Sequence, residues 1–305
     1  MLKKLSALAL TLAAAVPAGQ AHAEVPTRAA ATSCSLQAGT FNAAGDFTYQ
    51  SLLASNPPRA AAGTAATGIF PAGPVRLAGS FDTDNGDSDF PVARGGNAVV
   101  GARMYNVIYA VDNQAGTTQV LTRQLIGGGW DRMIAFEDSY PAIGGRQRFE
   151  YALRADGTLL RWLVTSDVHN QQTWTARGSV AGFAAVKTMT LISQKPTYDT
   201  LLMNTKGGAL YTVRIPVTTA MKTTVTKVRT STWQGFERLL AERCGQHGTL
   251  LLGIDKDSGA GYLYAVGQAA GANTVINAIG KVPATFQSTA DFRALWLDSL
   301  PLVGD

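Results

Sequence analysis

Four carboxylates crowd into one short stretch, Asp82-Thr83-Asp84-Asn85-Gly86-Asp87-Ser88-Asp89. Asp82, Asp84, Asp87 and Asp89 lie around a glycine turn among small polar residues, and hard oxygens at that density are what Ca²⁺ takes as ligands. The stretch occurs once and lacks the distal glutamate of an EF-hand loop, so a solvated acidic turn is the competing reading. Aromatic residues with polar neighbours form a second set: Trp130-Asp131-Arg132, and Trp233-Gln234 with Glu237 close behind. An exposed indole offers the CH face of a sugar ring a platform while its neighbours hydrogen-bond the hydroxyls. The competing reading here is packing, since aromatics that recur at intervals more often fill a core.

Other chemistry has less material. Outside the first residues the only histidines are His169 and His247, each isolated, too few for a triad or a histidine-built metal site. A paired-carboxylate hydrolysis needs no histidine, and Glu137, Asp138, Glu150, Glu237 and Asp291 are the candidates for it. A binding role is expected ahead of an enzymatic one, with no cofactor beyond Ca²⁺ on the Asp82–Asp89 stretch.

Residues 1–23 read as a secretory signal peptide: Lys3 and Lys4, an apolar run from Leu5 to Val16, then Ala21-His22-Ala23. No later run approaches the length of a membrane-spanning helix. The mature chain is therefore expected to be secreted, extracellular or periplasmic, with residues 24–33 a mobile lead-in and 34–305 a single domain. Without the two leader lysines, 24 basic residues face 21 acidic ones, a net of +3. That excess is too small and scattered for nucleic acid. A glycan or an extracellular protein is the expected partner. Cys34 and Cys244 are the only cysteines, and in an oxidising compartment they most simply form one disulfide.

The elements that must position these residues recur. Ala184 to Phe236 contains four β-rich runs, with Lys206-Gly207-Gly208 as a tight turn between the second and third. Two landmark series test the repeat. Third-strand apolar residues Ile108, Leu159, Leu210 and Leu263 are spaced 51, 51 and 53. Closing aromatics Phe81, Trp130, Phe183, Phe236 and Phe286 are spaced 49, 53, 53 and 50. A period near fifty with four strands per unit is the signature of propeller blades. The count predicts an all-β, five-bladed β-propeller of four-stranded antiparallel blades. The segment Cys34–Phe81 supplies three strands of the first blade, two before an irregular loop over 54–73 and one from Pro74 to Phe81. The last strand, near Phe292–Leu297, supplies the fourth and closes the ring, which places Cys34 and Cys244 on adjacent blades.

The phrases that carry the repeat, Asp156-Gly157-Thr158-Leu159-Leu160, Gly207-Gly208-Ala209-Leu210-Tyr211 and Gly261-Tyr262-Leu263-Tyr264, resemble the tachylectin-like five-bladed propellers. So do the junctions Gly129-Trp130-Asp131-Arg132-Met133 and Trp233-Gln234-Gly235-Phe236. The resemblance implies a secreted lectin that binds N-acetylated sugars in shallow sites between neighbouring blades. A protein-interaction scaffold without a sugar site is the alternative.

Overall fold

The computed structural model describes residues 34–63, 66–70, 74–84, 92–112, 117–139, 146–218, 220–296 and 299–305. The expected signal peptide and lead-in lie outside them. β-branched and aromatic residues between glycine turns yield strands throughout, and the described residues include no α-helix.

The segment with the cleanest turn chemistry folds as a four-stranded antiparallel meander: β12 (Val186–Gln194), β13 (Tyr198–Thr205), β14 (Leu210–Pro216) and β15 (Thr224–Arg229). Its tight turn needs glycine. Gly208 has φ 86°, and a Cβ there would lie 2.1 Å from Gln234 Oε1. The same meander forms before it, from β8 (Met133–Asp138), β9 (Arg148–Arg154), β10 (Leu159–Ser166) and β11 (Gln172–Val180). It forms again after it, from β16 (Arg238–Cys244), β17 (Gly248–Asp255), β18 (Ala260–Val266) and β19 (Ile276–Thr285).

The remaining strands share one eight-stranded sheet. They are β1 (Ser35–Phe41), β2 (Phe47–Leu53), β3 (Arg59–Ala62), β4 (Val75–Asp84), β5 (Val92–Val100), β6 (Arg103–Asp112), β7 (Thr117–Gly127) and, from the far end of the chain, β20 (Ala290–Trp296). The order is β3-β2-β1-β20-β4-β5-β6-β7. β20 pairs antiparallel with β1, Phe41 opposite Ala290, and parallel with β4, Ala294 opposite Phe81.

Two expectations change here. The segment 54–73 is not wholly irregular, because Arg59–Ala62 pairs with β2 as its edge strand. An alanine-rich strand without alternation gives no periodic signal to read. Val75–Asp84 does not end the N-terminal group; it is the first strand of the next one, pairing with β5. Phe81 therefore sits inside a strand, whereas the other landmark aromatics precede one.

Both faces of these sheets are covered by apolar side chains, so each neighbouring pair shares a core. Phe41, Phe47, Phe81 and Phe292 pack where β1, β2 and β20 meet β4–β6. Leu77, Val99 and Met104 meet Trp130, Met133 and Phe136 at the next boundary. Leu153, Leu159 and Leu163 meet Met189, Leu201 and Val213. Ile192 and Leu202 meet Leu239 and Leu251, and Leu250, Leu252 and Ile254 meet Leu36 and Leu52. Fully burying one such side chain is worth about 1.5–3 kcal/mol, so these boundaries hold the sheets face to face. The first strands pack in succession, β4 on β8, β8 on β12, β12 on β16 and β16 on β20.

Two features fasten the ends. Cys34, just before β1, is disulfide-bonded to Cys244 at the end of β16, with Cα atoms 5.4 Å apart. The last residues tuck against β12: Gln194 N–H donates to the Leu302 carbonyl at 3.0 Å and Gly304 N–H to the Ile192 carbonyl at 2.9 Å. The Asp305 carboxylate takes the Arg214 guanidinium at 2.8 Å.

Candidate ligand site

The first strands converge on a cavity of about 10 Å³, lined by Ser80, Glu137, Thr190, Leu240 and Arg293. That is room for about one water. Glu137 accepts the Leu191 N–H at 3.1 Å. Burial pushes its carboxyl up to about 8, against the pull of Arg238. Beside it, Asp138 and Glu150 face each other across β8 and β9, both buried. A bulge in β4 turns the Ser80 N–H out of its ladder and onto Asp138 Oδ1 at 2.8 Å. Glu150 Oε1 accepts from Arg148 Nε at 2.9 Å and from Asn97 Nδ2 at 3.1 Å. Burial pushes Glu150 up to about 8 as well, with Arg148 opposing and Asp138 adding to the push. These groups bind two sheets together by a buried polar network. The other two candidate carboxylates are ion-paired, Glu237 with Lys187 and Asp291 with Lys256. None of the five borders a cavity large enough for a sugar ring.

The two aromatic clusters lie in the packing. Gly129, at φ 82°, turns the chain into a short 3-10 turn over Trp130–Arg132. The indole goes inward, 6% exposed, and meets Phe136 edge-on at 5.7 Å, Trp162 at 5.4 Å and Trp174 at 5.9 Å. Asp131 and Arg132 stay at the surface, where Arg76 holds the Trp130, Asp131 and Met133 carbonyls. Trp233 is 5% exposed against Tyr264 and Phe236. Gln234 is exposed above it, and Glu237 also accepts the Lys256 N–H at 2.8 Å. Neither indole presents a face to solvent, so the partly exposed platform expected at these positions is absent. The reason is the junction itself, which an indole fills.

Asp87 and Asp89 lie outside the described residues, as does the side chain of Asp84. Asp82 is part-buried, near Arg148. Among the described residues no three carboxylate, imidazole or thiol groups gather as a metal site.

The boundary between the β8–β11 and β12–β15 sheets is different. It opens into a pocket of about 330 Å³ lined by Phe183, Val186, Met203, Tyr211, Val213, Thr223 and Val225, among others. The neighbouring boundary explains why. Arg154 N–H donates to the Thr158 carbonyl in one sheet and Thr205 N–H to Ala209 in the next, which matches Leu159 with Leu210 and Trp162 with Val213. Trp130 N–H reaches the Ala102 carbonyl, and Phe183 N–H reaches Gly157, in the corresponding turns of the preceding sheets. Trp162 pairs with Ala176 and Val213 with Val225, which brings Trp174 to the place of Thr223. Three tryptophans that fill one boundary are thus Phe183, Val213 and Thr223 at the next, and Met133 is Val186. The missing rings are the pocket.

Its lining is mainly apolar, and two lysines neighbour lining residues. Tyr211, half-buried, has the Lys227 ammonium 5.7 Å from its ring centroid. Lys206 donates from Nζ to the Ala184 carbonyl at 3.1 Å, beside the lining residue Ala185. Thr223 lines the pocket as well, as does Thr205, whose hydroxyl accepts the Ala209 N–H at 2.9 Å in its own turn. Tyr211 stands in the repeated turn-and-strand phrase, but only a comparison of unit with unit, position by position, would have singled it out.

No protein-family model matches the sequence, and no curated protein matches it. Among solved structures, the chain is similar to the BP39L lectin of Burkholderia pseudomallei, with 13% identity over 82% of this chain and 70% of that one, at a TM-score of 0.41. It is similar also to the periplasmic gluconolactonase PpgL of Pseudomonas aeruginosa, with 10% identity over 81% of this chain and 67% of that one, at a TM-score of 0.39. Likenesses this loose carry no argument about function, which rests on the chain's own residues.

Proposed function

We propose that this chain is an exported, non-catalytic carbohydrate-binding propeller. Its five blades are the three separate meanders, β4–β7, and β1–β3 completed by β20, which closes the ring. The circular packing of first strands and the shared core at each boundary support that arrangement. The Cys34–Cys244 bond and the leader support export.

The observation that carries the binding role is the pocket left by the trimmed tryptophans. It is of ligand size and mainly apolar, with a half-buried tyrosine and Thr223 in its lining. A pyranose lies with its CH face on Tyr211 and a hydroxyl toward Thr223, and the apolar floor accepts an acyl methyl such as that of an N-acetyl group. A glycan array probed with the mature protein, Tyr211→Ala and Thr223→Trp tests the reading. Binding by the wild type and loss in both variants is expected. Retention in both would refute the pocket as the site. Ca²⁺ on the Asp82–Asp89 stretch is a separate proposal, tested by calorimetric titration with calcium.

A further inference from the structure

The pocket sits in a strongly one-signed piece of sequence. From Thr200 to Phe236 the chain has Lys206, Arg214, Lys222, Lys227 and Arg229, and no aspartate or glutamate. Two of these are occupied elsewhere: Arg214 holds Asp305, and Arg229 holds the Val228, Ala272 and Thr274 carbonyls. Lys206 donates to the Ala184 carbonyl, and Lys227 lies against the Tyr211 ring. Both are exposed, and neither has a carboxylate partner among the described residues.

Each neighbours a lining residue of the pocket. Lys227 is the register partner of Tyr211 across β14 and β15, so its ammonium lies against the ring on which a sugar would sit. Lys206 follows Thr205 at the tight turn and is held by the Ala184 carbonyl, next to Ala185. The five candidate catalytic carboxylates lie away from the pocket lining. One ammonium against the tyrosine ring and a second at the turn beside Thr205 favour a ligand with an apolar face and a negative group at its edge.

We infer that the ligand of this pocket is an anionic saccharide, its ring on Tyr211 and its carboxylate or sulfate between Lys206 and Lys227. The inference rests on the proposed carbohydrate-binding role and names the chemical class of the ligand. A uronate and a sulfated sugar present the same charge at the ring edge, and separate probes tell them apart. A bare acidic polymer would satisfy the two lysines without using the floor.

The test is a calorimetric titration of the mature protein with oligogalacturonate, a sulfated galacto-oligosaccharide, the neutral oligosaccharide of equal length, and a polyglutamate peptide. Expected is binding of at least one anionic saccharide, with the neutral one on the order of tenfold weaker. Each exposed charge contact is worth up to about fivefold, so Lys206→Gln/Lys227→Gln should weaken the anionic saccharide on the order of tenfold without moving the thermal melt. The loss should shrink at high salt. Binding of the uronate alone assigns a carboxylate; binding of both assigns charge at the ring edge. Tyr211→Ala should abolish binding, and Thr223→Trp, which fills rather than empties the pocket, guards against a Tyr211 variant that fails to fold. Equal binding of the neutral sugar, lost in Thr223→Trp and unchanged in the lysine variant, overturns the anionic ligand and leaves the pocket standing. Saccharide binding unchanged in Thr223→Trp and in Tyr211→Ala, or no saccharide binding, overturns both. Polyglutamate bound as tightly as the saccharides and indifferent to Thr223→Trp also overturns the inference, since a basic surface then suffices.

Discussion

Glu150→Gln should flatten the pH dependence of stability on the alkaline side of the carboxylate range. Glu150 is fully buried, and its folded carboxyl is pushed from the ordinary 4.5 up to about 8, chiefly by burial. A group raised in the folded state holds its proton there after the unfolded chain has lost it. Its stabilising contribution is complete below about pH 4.5 and declines until about pH 8. Each pH unit between those limits costs about 1.4 kcal/mol, so the full window is worth about 4 to 5 kcal/mol. Glutamine mimics the protonated acid: its oxygen still accepts from Arg148 and Asn97, and nothing is left to ionise. Glu137, whose carboxyl burial also pushes up to about 8, titrates in the same window and supplies a comparable share of the slope. The assay is denaturant unfolding at half-unit steps from pH 4.5 to 8.5. The wild type should lose stability steadily across that range, and Glu150→Gln should lose about half as much. Parallel profiles would refute the reasoning, and a wild type that gains stability with pH would reverse its sign.

Three further outcomes are expected from the packing. Trp130→Ala empties a site bounded by Phe136, Trp162 and Trp174 and should cost about 3 to 5 kcal/mol; an unshifted thermal melt would contradict the buried placement. Cys34→Ser with Cys244→Ser opens a link between residues 210 apart and should cost about 2 to 5 kcal/mol, read by the same melt with no change in glycan affinity. Thr223→Trp places a ring where Trp174 stands one boundary earlier, and filling a cavity in this way commonly adds about 0.5 to 2 kcal/mol. A raised melt together with lost binding is expected, and a lowered melt would show that the two boundaries do not correspond.

The sequence made the repeat plain because glycine turns and third-strand leucines obey local rules. Leu159 and Leu210 open the third strand of their sheets and Leu263 lies within it, as the spacing predicts. The pairing of Cys34 with Cys244 and of the last strand with the first were readable because a leftover cysteine pair and a leftover strand each have few partners. The N-terminal phase was not readable. Arg59–Ala62 has no alternation, and Val75–Asp84 looks alike whether it ends one sheet or begins the next. The aromatic clusters misled for a physical reason: an indole beside charged residues reads the same whether its ring turns out to a sugar or in to Phe136. The pocket was hidden because it consists of what is missing, two indoles replaced by Val213 and Thr223 and a third cut back to Phe183, and landmark spacing registers only what recurs.

The most direct test uses Met203, whose side chain forms part of the pocket floor, while Met104 and Met133 lie at the tryptophan-filled boundary. With methionine methyls labelled with carbon-13, titration with oligogalacturonate should move the Met203 resonance and leave Met104 and Met133 in place. A Met203 signal unmoved at saturation, or shifts confined to Met104 and Met133, would contradict the assignment of the ligand to the trimmed boundary.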